Sequence, residues 1–207
     1  MRVSLWLAMA VFSTACAAPA ATEEKTATDL ALEQGEKKTS TDPAVNPDAA
    51  ALAEFTARVD EYVAIHKEVA KGDAKPRQTE DPAEITAAKK TLAGRVQAAR
   101  VTAKQGDIFT PAVRPVFRRL LAPELKGEDG HDAKAVLKDD APAPGTVPFK
   151  VNAKYPENQP LPSVPANLLL TLPTLPAPLE YRIVGKHLLI LDMAADLVVD
   201  YMLNVMP

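Results

Sequence analysis

The side chains best suited to acid–base or metal chemistry are three histidines, His66, His131 and His187, and three aspartates at four-residue spacing, Asp192, Asp196 and Asp200. A metal centre needs several ligands converging on one point. The wide separation of the histidines gives no ligand pattern, so no metal and no cofactor is expected. His66 falls on the apolar face of a helical pattern. It reads as a partly buried histidine bonded to a carboxylate or to backbone, with a ligand or pH-sensing role as the alternative. His131 lies in a charged stretch and is expected in solvent; His187 opens a strand beside a turn. The three aspartates read as solvated turn residues at the ends and middle of strands. Asp107 follows Gly106 between two basic helices and is expected as a buried polar junction, with His66, accepting bonds from Arg100 or Arg114.

Nucleophilic catalysis finds no support. Beyond the first seventeen residues the only serines are Ser40 and Ser163, and no Gly-x-Ser-x-Gly, phosphate-cradling glycine loop or His-Glu-x-x-His occurs. The expectation is a non-enzyme. A net charge of −3 over 207 residues argues against a nucleic-acid partner.

The strongest local charge feature is basic. Lys89, Lys90, Arg95, Arg100, Lys104, Arg114, Arg118 and Arg119 lie between Ile85 and Arg119, with Asp107 the only acid among them. Such a stripe either faces an anionic partner, meaning an envelope polymer, lipid headgroups or an acidic protein face, or is balanced inside the molecule. Glu54, Asp60, Glu61 and Glu68 on the preceding helix, and the acidic residues of 124–140, supply the second option.

The first residues read as an address. Arg2 precedes an apolar run, Val3 to Phe12, and the small residues Ser13 to Ala18 follow. This is the pattern of a secretory signal peptide, and the run is too short to span a bilayer. Two exits are open. Ala15-Cys16-Ala17 suits ordinary signal peptidase, and Phe12-Ser13-Thr14-Ala15-Cys16 is similar to a degenerate lipobox with Cys16 as the lipidated residue. A cut after Ala17 removes Arg2, Trp6 and Cys16 and leaves 23 basic and 27 acidic side chains, a charge of −4, with no thiol for redox chemistry.

Elements that would position these residues can be read in order. Residues 18–47 have few large apolar side chains and read as a disordered tether. Leu52, Phe55, Val59, Tyr62, His66 and Val69 recur at spacings of 3, 4, 3, 4 and 3, one face of a helix from Asp48 to about Lys71. Asp81-Pro82 with Glu84 opens a second helix, whose face carries Ile85, Leu92, Val96 and alanines up to Ala103, with Gly106 as its stop. Thr110 caps and Pro111 opens a third. A short helix is expected around Ala133–Lys138.

Ten of the 19 prolines fall in residues 141–178, which exclude regular helix and read as an extended strap. Leu179–Val184 and His187–Asp192 flank Gly185-Lys186, a glycine-first two-residue turn, and Leu197–Leu203 follows. Residues 193–203 are open between strand and helix.

The segments Tyr181–Asp192 (YRIVGKHLLILD), Leu197–Tyr201 (LVVDY) and Gln105–Pro111 (QGDIFTP) resemble a group of uncharacterised exported bacterial proteins. That resemblance implies export but no activity, cofactor or site residue. Over the hairpin alone, the chain is also similar to small periplasmic proteins of the nickel/cobalt-homeostasis type.

The expected fold class is α+β: a helical region over 48–140, the strap over 141–178, and a three-stranded antiparallel meander over 179–207, packed as one domain. The expected function is a non-catalytic binding or scaffold module of the bacterial envelope. It would be periplasmic or anchored to the membrane only by a lipid, and its expected partner is another envelope protein. The alternatives are a binder of an anionic envelope polymer through the basic stripe, and an enzyme of unknown type.

Overall fold

A computed structural model describes residues 46–72, 79–139, 149–156 and 158–206, all within one compact unit. The expected signal segment, Cys16 and nearly all of the expected tether lie outside the described residues, as do residues 141–148 of the strap. The described residues form five helices, α1 (Pro47–Val69), α2 (Pro82–Ala99), α3 (Val113–Glu124), α4 (Gly127–Asp139) and α5 (Ala166–Thr171). The strands β1 (Leu179–Val184), β2 (His187–Asp192) and β3 (Leu197–Met202) close the chain in a sheet of order β1-β2-β3. The fold class is α+β, as the patterning predicts.

Both long helices start where the cap chemistry places them. The Asn46 side chain accepts the N–H of Asp48 at 3.0 Å with Pro47 in the first turn, so the last residues of the expected tether belong to α1. Asp81 accepts the N–H of Ala83 at 2.8 Å, with Pro82 next. The buried face of α1 is Ala51, Phe55, Val59, Tyr62, Val63 and His66. On α2 only Leu92 and Val96 are buried, and Ile85 is exposed.

Four expectations are corrected. First, α2 ends at Ala99, well before Gly106, because Arg100 leaves the helical path (φ −121°) to grip a loop and a strand. Second, Thr110 does not cap α3. Its hydroxyl is buried without a partner, and its carbonyl accepts from Val113 and Arg114, because the loop before it is held from β3. Third, the short helix near 133–138 runs over all of Gly127–Asp139 and carries exposed His131, so that histidine sits on a helix and not in a loop. Fourth, the strap contains α5, because the six residues after Pro165 carry no proline and run as helix before Pro173.

The sheet settles the open reading of 193–203. Residues 193–196 turn, with Asp196 in the left-handed region (φ 55°), and 197–202 pair antiparallel with β2. Gly185 opens the first hairpin turn at φ 59°, which makes Val184 and His187 partners. Both faces of the sheet are covered, which is why His187–Asp192 reads as an unbroken apolar run and not as an alternation. One face, with Leu179, Tyr181, Ile183, Leu188, Ile190, Val199 and Met202, joins the helical core. There Phe55, Phe109 and Phe117 meet with ring centroids 4.8 to 5.9 Å apart. The other face, with Val184, Leu189, Leu191 and Val198, is covered by Tyr155 and Phe149 of the strap.

Candidate functional site

The structure builds two buried carboxylate clasps, one at the end of β2 and one within β3. Asp192 closes β2 and is fully buried, so the expectation of a solvated turn residue is overturned. Its Oδ2 accepts the Tyr62 hydroxyl at 2.7 Å and lies 2.5 Å from His66 Nδ1, while Oδ1 accepts the N–H groups of Ala194 and Ala195 at 2.9 and 2.8 Å. Burial acts to raise this carboxyl. The bonds from His66, Tyr62 and the Ala195 N–H outweigh it and hold the group below the ordinary carboxylate value. His66 is therefore the carboxylate-bonded histidine that its place on α1 predicts, joining α1 to β2.

Asp200 is the second buried carboxylate where a solvated one was expected. It accepts four backbone N–H groups, from Gly106, Ile108, Phe109 and Tyr201, at 2.8 to 2.9 Å. Burial pushes its carboxyl up, with those four donors pulling the other way. The segments 105–111 and 197–201 are thus locked together by one side chain. Asp196 alone of the three is a surface residue, 3.2 Å from Lys154.

Arg100 is the node between these two clasps. Its guanidinium lies 4.8 Å from the Tyr62 ring centre, donates to Asn152 Oδ1 at 2.9 Å and reaches the Val199 carbonyl. Asn152 Nδ2 returns a bond to the Arg100 carbonyl at 2.6 Å, which also accepts the Ala103 N–H at 3.0 Å at the end of α2. Burial lowers the Arg100 guanidinium, which nonetheless keeps its charge. We expect Arg100→Ala to cost about 1–3 kcal/mol and Arg100→Ala/Asn152→Ala to cost less than the sum of the single changes. Urea unfolding of the four species checks this; strict additivity would show that the two side chains are not coupled.

Asp107 does not take bonds from Arg100 or Arg114. Its carboxylate accepts the Lys104 N–H at 2.9 Å and its carbonyl accepts from Arg58. Arg114 donates instead to the Phe109 carbonyl at 2.8 Å. Asp107 and Arg100 do line one polar cavity of about 300 Å³, together with Arg58, Glu61 and Tyr62; His66 is not part of its wall.

The rest of the basic stripe is engaged in several directions. Arg95 donates to the carbonyls of Val69 and Lys71 at the end of α1, Arg118 to those of Leu203 and Asn204, and Arg119 pairs with Asp48. Lys89, Lys90 and Lys104 are exposed. Among the described residues no group of three or more metal-ligating side chains is placed to hold an ion, and no helix is long and apolar enough to cross a membrane.

A further feature lies at the edges of the sheet. The two edges of the sheet differ. Along β3 the outer edge is covered: Asn152 donates to Val198 O at 2.8 Å, Val198 donates to Ala153 O at 2.9 Å, and Arg100 and Asp200 take up the next residues. Along β1 the outer edge borders a groove of about 500 Å³, walled by Leu169, Leu170, Leu172, Pro173 and Leu175. Leu170 is 86% exposed and Leu169 48%. The signal was faint in sequence, because three consecutive leucines inside a proline-rich strap suggest packing and not exposure. Compared with protein-family models, curated proteins and solved structures, the chain finds no match in any of the three.

Proposed function

We propose that this chain is a non-catalytic binding module of the bacterial envelope, exported through its first residues, that takes an apolar segment of a partner protein in the groove between α5 and β1. The apolar groove beside β1, with Leu170 86% and Leu169 48% exposed on its wall, is the observation that carries this reading. Apolar side chains of the partner would cover Leu169 and Leu170 and fill the groove. The two buried carboxylates support a binding role over a catalytic one. Every oxygen of Asp192 and Asp200 already accepts bonds that join elements of the fold. The anionic-polymer alternative draws less support, because Arg100, Arg114, Arg118 and Arg119 donate to groups of the chain itself.

A photo-crosslinking residue in place of the exposed Glu180 tests the reading in the native envelope. The expected adduct maps to an apolar segment of a protein. Adducts confined to glycan or lipid, and lost on Arg95→Glu/Arg114→Glu/Arg118→Glu, would overturn it in favour of the polymer. Salt separates the two as well: polymer binding through arginines weakens steeply with ionic strength, and apolar contact in the groove does not.

A further inference from the structure

The polar cavity between α1 and the loop after α2 brings together four charged side chains of both signs. Arg58 and Glu61 come from α1, Arg100 from the end of α2 and Asp107 from the loop, around a space of about 300 Å³. Ile65 and Ile108 add apolar surface to the wall. None of these residues lines the groove beside β1, so the two features are separate.

Three of the four groups are fixed by bonds that do not use them up. Arg58 Nε donates to Glu54 at 3.0 Å, and Nη1 donates to the Asp107 carbonyl at 2.9 Å, which ties α1 to the loop. The Asp107 carboxylate is set through Oδ2, which accepts the Lys104 N–H at 2.9 Å. Arg100 lies on the Tyr62 ring and is held through its two Nη atoms by Asn152 and the Val199 carbonyl. Among the described residues Arg58 Nη2, Arg100 Nε and Asp107 Oδ1 have no partner, and Glu61 forms no hydrogen bond or ion pair. The wall thus keeps unspent donors on two guanidiniums and unspent acceptors on two carboxylates. Their anchoring means that little ordering is left for a ligand to impose.

The balance of signs selects the ligand. An anion drawn to Arg58 and Arg100 meets the like charge of Glu61 and Asp107. A cation drawn to the two carboxylates meets two guanidiniums. Each is penalised by a repulsion it cannot pair. A molecule carrying both charges a few bonds apart sets each against its opposite. The volume stands at the small end of ligand pockets, which run from about 300 to about 1,000 Å³, so the occupant is compact. We propose that this cavity binds a free α-amino acid. Its carboxylate accepts charge-assisted bonds from Arg58 and Arg100, its ammonium donates to Glu61 and Asp107, and an apolar side chain rests on Ile65 and Ile108.

Isothermal titration calorimetry of the full chain tests this with L-leucine, with L-alanine as a smaller zwitterion, and with two analogues of leucine that carry one charge each. Isopentylamine lacks the carboxylate and isocaproate lacks the amine. Leucine is expected to bind, and each analogue to bind about tenfold more weakly or worse. Glu61→Gln and Arg58→Gln change exposed side chains and should keep the far-UV dichroism spectrum. Each is expected to weaken leucine about tenfold. The pattern of loss separates direct contact from a structural role. Glu61→Gln should narrow the gap between leucine and isocaproate, and Arg58→Gln the gap between leucine and isopentylamine. A cavity that takes neither leucine nor alanine, analogues that bind as well as leucine, or variants that leave the order and spacing of the affinities unchanged would each overturn the inference.

Discussion

Asp200→Ala is expected to lower the unfolding free energy by about 3–5 kcal/mol, a large part of the margin of a typical domain. Its carboxylate has no exposed surface and accepts four N–H groups, three of them from Gly106, Ile108 and Phe109. Ile108 and Phe109 are themselves buried, so their orphaned donors find no water. The damage extends into the core, because Phe109 packs against both Phe55 and Phe117. Asp200→Asn should recover little. All four partners are obligate donors, and an amide brings one acceptor and an N–H₂ that meets them donor to donor. Urea unfolding followed by far-UV dichroism reads the loss. A cost below 1 kcal/mol for the alanine variant would mean that the loop holds its shape without the clasp.

The architecture was legible in sequence wherever local chemistry decides it. Asp81-Pro82 starts α2, and Gly185-Lys186 closes the hairpin between apolar runs. It was illegible where a distant residue decides. The path of the chain from Arg100 to Thr110 answers to Asp200, about a hundred residues on, and to Asn152, so Gly106 does not stop α2 and Thr110 does not cap α3. The aspartates show the same limit. A spacing of four between Asp192, Asp196 and Asp200 says nothing about depth, and a turn after each strand is the ordinary place for a solvated carboxylate. What distinguishes Asp192 is Tyr62 and His66 on a helix over a hundred residues earlier. His66 was readable, because its place on an apolar helical face demanded a polar partner, though not which one.

Asp192→Ala is expected to cost about 3–5 kcal/mol, and here asparagine should rescue most of the loss. Two of the partners, Ala194 and Ala195, are fixed N–H donors to one oxygen. The others, the Tyr62 hydroxyl and the His66 ring, can each accept as well as donate. An asparagine can keep its carbonyl on the turn and offer its N–H₂ to Tyr62 and His66, an exchange closed to Asp200. Asp192→Asn should therefore cost about 1–2 kcal/mol near neutrality. Its pH dependence follows from the depressed carboxyl. A group held below its unfolded value contributes stability that is complete above that unfolded value and is lost as pH falls through the folded one. Asp200, pushed up by burial, has the opposite sign, so total stability would mix the two. The informative quantity is the difference between wild type and Asp192→Asn, followed downward from about pH 5 by urea unfolding. It should begin to shrink as the pH drops past the ordinary carboxylate range and vanish below the depressed value. A difference that stays flat or widens in that window would show that the clasp does not hold Asp192 as a carboxylate.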